Sequence, residues 1–398
     1  MYDAVIVGAR CAGAALAIFL AQKGYKVAMV DRDTFPSHTT STHVTGEIDI
    51  YQRLGVLEQL EAAGAPSLRR MHVHLGTSSF ESDMLVTPRA IGLRRYHFDQ
   101  ILIQKAMSYP TVSFEQGSLV TGLIQDRGKV QGISIRKGAV QKELMANVIV
   151  GADGYFSFVA SRVNAASYET SPLMRPAYYG YFRNVKPLPI PAVEWFWNEE
   201  DIIFCNPTDD DLHTVLVMPP MSEMKRWMRS PKDMLLERIT KIPGLHERMQ
   251  AAQLSDRVRG IGARPMYLKQ AYGQGWALVG DAGAYVHPVT GSGMDNAVGS
   301  AELLSKALHE VFTGQASWEN ALKTYQTKRD ELIKPQMHGA HVSMNRADQA
   351  INYEKLQWLQ ALCTFPGLTH DLAANVKEVA RILGNERYEQ LEKMMMPN

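Results

Sequence analysis

Ala4-Val5-Ile6-Val7 runs straight into Gly8-Ala9-Arg10-Cys11-Ala12-Gly13, and an Ala- and Leu-rich stretch follows as far as Lys23. A short apolar run that stops at glycine has the pattern of a buried parallel strand. The stretch after the turn has the composition of a helix closed by Gly24, and Tyr25 to Val30 reads as a second strand ending at Asp31. Together these make one βαβ unit of about 30 residues. In a dinucleotide-binding turn the first glycine makes the tight bend. The second lets a pyrophosphate approach the backbone, and the third lets helix and strand pack. The helix N-terminus then offers N–H groups to the phosphate. Here Arg10 occupies the middle glycine position, so its side chain must leave the pyrophosphate face or lie along it. Asp31 falls about 20 residues beyond the turn, where a ribose-binding acid belongs. An acid at a strand end is otherwise an ordinary solvated turn residue; the strand–turn–helix context favours the ribose role, with Arg32 beside it as a second candidate.

Two more strand ends repeat the theme. Val148-Ile149-Val150 stops at Gly151-Ala152-Asp153-Gly154, and Trp276-Ala277-Leu278-Val279 stops at Gly280-Asp281-Ala282-Gly283. In open α/β sheets ligands bind at such C-terminal strand ends. The third is followed by His287-Pro288-Val289-Thr290-Gly291-Ser292-Gly293-Met294-Asp295-Asn296-Ala297, a loop leading into a helix whose first N–H groups can face an electron-rich ring edge. Glycine and aspartate after a strand form a common turn, but three such ends in this order point to one site.

Residues 47–54 and 55–63 have helical spacing, while 71–75, 112–124 and 130–135 alternate like strands. The stretch 172–264 changes character, with many prolines, most of the tryptophans and alternating segments that suggest an antiparallel sheet with one covered face. From Ser300 onward the chain reads as helical, with interruptions expected near Pro335 and Pro366. Tyr178, Tyr179, Tyr181, Trp195, Phe196 and Trp197 would line an aromatic pocket, or equally form an ordinary sheet core; adjacent residues must point to opposite faces. His72 and His74 share a strand face without a third ligand, so no metal site is expected.

The net charge of +1 in 398 residues predicts no nucleic-acid footprint. Three scattered cysteines fit a reducing cytoplasm, and the chain shows neither a signal-peptide pattern nor the ~20-residue apolar run of a membrane span. A cytoplasmic protein is therefore expected.

The three strand-end motifs together resemble those of the FAD-dependent monooxygenases with the para-hydroxybenzoate hydroxylase fold, over residues 1–335. Geranylgeranyl reductases and flavin-dependent halogenases share them. The resemblance implies an α/β fold: a Rossmann-type FAD-binding domain, an interleaved mixed or antiparallel β-sheet substrate domain, and C-terminal helices. The expected boundaries are 1–75, 92–170 and 265–335 for the FAD-binding domain, 76–91 and 171–264 for the substrate domain, and 336–398 for the helical region. It further implies that Gly8, Ala9, Arg10, Cys11, Ala12, Gly13, Asp31 and Arg32 hold the ADP half of FAD. Gly280 and Asp281 would hold its middle, while Pro288, Gly291, Ser292, Gly293 and Met294 would approach the flavin pyrimidine ring. Arg95 would approach the cofactor, and Asp153 would support the site and nicotinamide access.

The reaction implied first is hydroxylation of an aromatic or polyketide-like molecule with O₂ through a flavin hydroperoxide. With a single dinucleotide fingerprint, NAD(P)H would bind only transiently as co-substrate. The chemistry requires no side-chain nucleophile, so no catalytic residue is named. Reduction of an isoprenoid double bond comes second, and an electron-transfer flavoprotein third. Trp195-Phe196-Trp197-Asn198-Glu199 lacks the Ile-Pro of the halogenase Trp-x-Trp-x-Ile-Pro signature, which places halogenation lower.

Overall fold

The apolar tetrad Ala4–Val7 becomes the central strand of a parallel sheet in a computed structural model that describes residues 1–41, 44–76, 78–84, 89–198 and 201–347. This strand, β1 (Tyr2–Val7), pairs in parallel with Val140–Gly151 on one side and with β2 (Val27–Asp31) on the other. Beyond these, Val112–Gln116 extends the sheet next to β2, and Trp276–Leu278 extends it next to Val140–Gly151, again in parallel. Ala4, Val5 and Ile6 are fully buried, as a strand covered on both faces must be. The long strand Val140–Gly151 also continues into an antiparallel meander with Lys129–Lys137 and Leu119–Asp126. The first helix, α1 (Cys11–Ala21), is buried along its whole length and packs against the helices Arg95–Met107 and Gly293–Phe312. That burial explains a sequence apolar all round rather than amphipathic.

The described residues divide into two compact units: those within 1–63, 93–173 and 265–340 around this parallel sheet, and those within 64–92, 174–264 and 341–347 around a second sheet. The second sheet has the order Gln253–Leu254, Ala177–Arg183, His213–Met218, Asp201–Pro207, Ala192–Asn198, Arg70–Leu75, Ser78–Asp83. Its neighbours are antiparallel except for Ala192–Asn198 with Arg70–Leu75. That pairing corrects the expected boundary at residue 75. Alternation over 71–75 identifies a strand but not its sheet, and Arg70–Leu75 hydrogen-bonds within the second unit.

One face of this sheet is covered by the helices Met224–Arg229, Pro231–Thr240 and Pro243–Arg248, and Tyr178, Phe182 and Phe196 lie in that core. Tyr178 stacks on Trp227 at 4.9 Å between ring centroids. By the alternation of side chains, Tyr179, Tyr181, Trp195 and Trp197 belong to the other face. There Tyr179 meets Tyr181, and Trp195 meets both Trp197 and Phe204.

Pro335 does not end its helix. Trp318–Ala347 runs through it as one element, contrary to the expected interruption. Pro366, and most of the region expected at 336–398, lie outside the described residues. Among the described residues no helix is long and apolar enough to cross a membrane.

Candidate cofactor site

Two glycines show why the three strand ends meet. Gly8 ends β1 with φ +102°, and a Cβ there would lie 2.3 Å from the Ala152 carbonyl oxygen of the second motif. Gly280 has φ +61°, and its Cβ would lie 2.9 Å from the Ala12 Cβ at the start of α1. Only a hydrogen side chain permits either approach. Gly13 closes the turn in the same way, since a Cβ would fall 1.8 Å from the Gly8 carbonyl oxygen. Beyond Gly280, Ala297 of the helix Gly293–Phe312 stands 3.8 Å from the same added Cβ, so the start of that helix joins the cluster.

Donors gather where these elements converge. The first α-helical bond in α1 runs from the Ala14 N–H to the Arg10 carbonyl, so Cys11, Ala12 and Gly13 are the early N–H groups that a helix leaves without intrahelical acceptors. At Gly293–Phe312 the Asn296 N–H donates to the Ser292 carbonyl, leaving Gly293, Met294 and Asp295 in the equivalent places. Such helix ends attract electron-rich oxygen. Asp31 stands at the first turn: its Oδ2 accepts the Ala9 N–H at 2.8 Å and its Oδ1 accepts the Asp33 N–H at 2.9 Å. Burial raises its carboxyl above the ordinary range, while the two N–H donors act in the opposite direction.

Arg10 has φ −75° and ψ −169°, ordinary extended backbone that needs no glycine. Its side chain turns away from the N–H groups of the turn. Nη1 donates to Asp99 Oδ2 at 2.9 Å, Nη2 donates to Asp33 Oδ2 at 2.8 Å and to Ser37 Oγ at 2.9 Å, and the guanidinium lies over the Phe35 ring. Asp99 also accepts Arg95 Nε at 2.9 Å, so one buried carboxylate sits between two guanidinium groups. The charges of Arg95, Asp99 and Asp281 all act on the Cys11 thiol, which burial raises to about 11 and thereby keeps protonated. Arg32 is exposed and has no partner among the described residues.

The other predicted residues divide by role. Asp153 Oδ2 accepts the Phe158 N–H at 2.7 Å and Oδ1 accepts the Ser157 hydroxyl at 2.5 Å, so its carboxylate holds the start of the helix Phe158–Arg162. Asp281 lies in a 3₁₀ turn, Gly280–Ala282, whose carbonyl at 281 accepts the Tyr267 hydroxyl at 2.6 Å. Pro288 opens a second 3₁₀ turn, Gly291 takes φ +68°, and Met294 is buried. The Ser292 hydroxyl is held by Gln336 at 2.5 Å.

Sequence reasoning assigned no role to Asp99 or Asp295. Asp295 accepts the Thr45 hydroxyl and, more loosely, the Gly46 N–H at 3.3 Å, and Thr45 also meets Tyr51. Burial raises the Asp295 carboxyl to about 6. The i,i+4 spacing of Arg95 and Asp99 was a readable signal; nothing local links Thr45 with Asp295.

A parallel sheet with glycine-bounded strand ends, two helix N-termini and an acid after the second strand defines a dinucleotide-binding α/β protein. This chain belongs to the FAD binding domain family, whose model matches residues 1–339. It is a flavin-dependent enzyme with the Rossmann-type fold of the para-hydroxybenzoate hydroxylase class, and its cofactor is FAD. The glycine cradle and the early N–H groups of α1 fit the pyrophosphate of FAD. The chain is 25% identical over 340 residues to a 1H-pyrrole-2-carbonyl peptidyl-carrier-protein brominase of Pseudoalteromonas luteoviolacea, covering 81% of each chain. It is 25% identical over 337 residues to squalene monooxygenase of Mus musculus, covering 78% of this chain and 55% of that enzyme. Among solved structures, the flavin-dependent brominase Bmp2 superposes with TM-score 0.76 at 21% identity, covering 96% and 93% of the two chains. Pseudomonas aeruginosa PqsL, solved in complex with 2-aminobenzoylacetate, superposes with TM-score 0.74 at 20% identity, covering 87% of this chain and 97% of its own. These superpositions show a shared fold.

Proposed function

We propose that the chain is an FAD-dependent monooxygenase that hydroxylates a small hydrophobic or aromatic molecule with NAD(P)H and O₂. The observation that carries the reading is the aromatic character of the second sheet's other face, where Trp195 meets Trp197 and Phe204, and buried Tyr179 meets buried Tyr181 two strands away. Aromatic side chains suit contact with a planar, apolar substrate. The unit with this sheet is the substrate domain in this reading, and the unit with the parallel sheet is the FAD-binding domain. FAD, when bound, supplies the electron transfer and oxygen activation. The chain's residues hold the pyrophosphate at Gly8–Gly13, the ribose at Asp31 and the ring edge near Pro288–Met294.

A second reading is halogenation, favoured by the brominase relative that matches this chain over 81% of both lengths. Against it stands the Trp195-Phe196-Trp197-Asn198-Glu199 segment without Ile-Pro; Glu199 lies outside the described residues. NAD(P)H consumption with and without candidate phenols, alongside product mass in the presence of bromide, separates the readings. Gain of one oxygen supports hydroxylation, replacement of hydrogen by bromine supports halogenation, and gain of two hydrogens supports a reductase. NAD(P)H oxidation with no altered product, whatever the acceptor, would fit an electron-transfer flavoprotein.

A further inference from the structure

A cleft of about 590 Å³ lies wholly within the second unit, at the end of the sheet where Ala192–Asn198 begins and Asp201–Pro207 finishes. Its volume falls in the range of small-molecule pockets. Leu188 and Pro191 make part of an apolar wall. Opposite in character are Arg183, Arg248, Glu194 and His213, which line the same space.

The polar side is incompletely paired. Arg248 donates Nη1 to Glu194 at 2.5 Å and Nε to the Lys186 carbonyl at 2.8 Å. Its Nη2 has no partner among the described residues. Glu194 is 2% exposed; Arg248 matches its charge through Oε1, while its Oε2 makes no hydrogen bond. His213 is buried, and its Nδ1 makes no hydrogen bond. Arg183 is exposed and has no acid beside it among the described residues. Asp211, the other acid of the lining, is exposed at the rim. Buried polar atoms without partners are uncommon in folded proteins, because each has given up water for nothing. At this cleft the buried atoms without partners are His213 Nδ1 and Glu194 Oε2, and they lie beside the guanidinium groups of Arg248 and Arg183 and an apolar wall.

We infer that this cleft binds a small organic carboxylate, with its anionic end on Arg248 Nη2 and Arg183 and its apolar body against Leu188 and Pro191. The planar guanidinium fork matches a carboxylate in shape and charge. Burial, helped by the nearby Arg248, pushes His213 down to about 4. At neutral pH its ring is therefore uncharged and can donate one hydrogen bond to the ligand. The inference does not depend on the reaction proposed above, since no residue of the cofactor site takes part.

The test uses the flavin-loaded full chain with benzoate as probe and benzamide as its uncharged counterpart. The readout is the His213 ring signals in NMR. Benzoate is expected to shift them saturably, and benzamide is not. Two variants preserve the fold: Arg183→Glu changes an exposed side chain, and Arg248→Lys keeps a positive charge opposite Glu194. Each should raise the benzoate dissociation constant by about tenfold or more. Phenylphosphonate binding more tightly than benzoate would replace the carboxylate with a phosphate-type ligand and overturn the assignment. Equal binding of benzamide, absence of a saturable His213 shift, or benzoate affinity unchanged in both variants would also overturn it.

Discussion

Arg10 and Asp99 are joined by a hydrogen-bonded ion pair, Nη1 to Oδ2 at 2.9 Å, across 89 positions of sequence. The residue at the middle-glycine position of the Gly8–Gly13 turn thereby ties that turn to the helix Arg95–Met107, and through Asp33 and Ser37 to the segment after β2. Arg10 neither arcs over the turn nor points into solvent: its side chain is 21% exposed, and its donors end on the protein's own oxygens.

From this arrangement Arg10→Gly is expected to destabilise the cofactor-free chain by about 1–3 kcal/mol, the order of lost charge-assisted hydrogen bonds. Asp99→Ala should cost more, about 3–5 kcal/mol, because it removes the buried carboxylate that Arg95 and Arg10 share. Urea unfolding of both variants checks the order. An Arg10→Gly variant as stable as the parent and equally tight for FAD would reduce Arg10 to an accommodated surface residue.

Asp281 and Asp153 should behave differently, although each is an acid at the end of a parallel strand. Asp281→Ala is expected to weaken FAD binding by about 1.5–3 kcal/mol while the fold survives. Asp153→Ala removes a helix-start acceptor and should lower stability by about 1 kcal/mol with little change in FAD affinity. Fluorescence titration of apoprotein with FAD, together with thermal unfolding, reads both. Reversal of the two effects would exchange the roles assigned here.

The strand ends were legible because their signals are local. Glycine is demanded at Gly8, Gly13 and Gly280 by contacts that any βαβ unit with converging strand ends must make. The Arg70–Leu75 strand was visible as a strand, but its sheet was not, since parallel pairing with Ala192–Asn198 is decided by packing across a long stretch of chain. Asp99 and Asp295 went unassigned for a related reason: Thr45 and Asp295 are 250 positions apart, and no periodicity connects them. The helix through Pro335 shows tertiary packing overriding a local breaker. The folded chain buries Ile333 and Met337 on either side of it.

Asp295 predicts a pH signature. Its folded pKa of about 6 lies above the ordinary carboxylate value, so the native state holds its proton more tightly than the unfolded state. The contribution of this group to stability is therefore full below about pH 4 and falls as pH rises towards 6. Asp295→Asn, which still accepts from Thr45 and Gly46, should raise the Tm of the apoprotein at neutral pH by an amount that vanishes near pH 4. The difference is of order 2 kcal/mol. A gain independent of pH would mean that Asp295 does not titrate in this window.

The central claim is oxygen insertion driven by FAD held at the three converging strand ends. It is tested most directly by turnover under isotopically heavy molecular oxygen, with NAD(P)H and a panel of phenolic and other apolar acceptors, followed by mass spectrometry of the product. The account predicts one heavy oxygen atom per product molecule, absent from a Gly13→Ala variant whose added Cβ would collide with Gly8. A product that gains two hydrogens or a halogen and carries no heavy oxygen would contradict it.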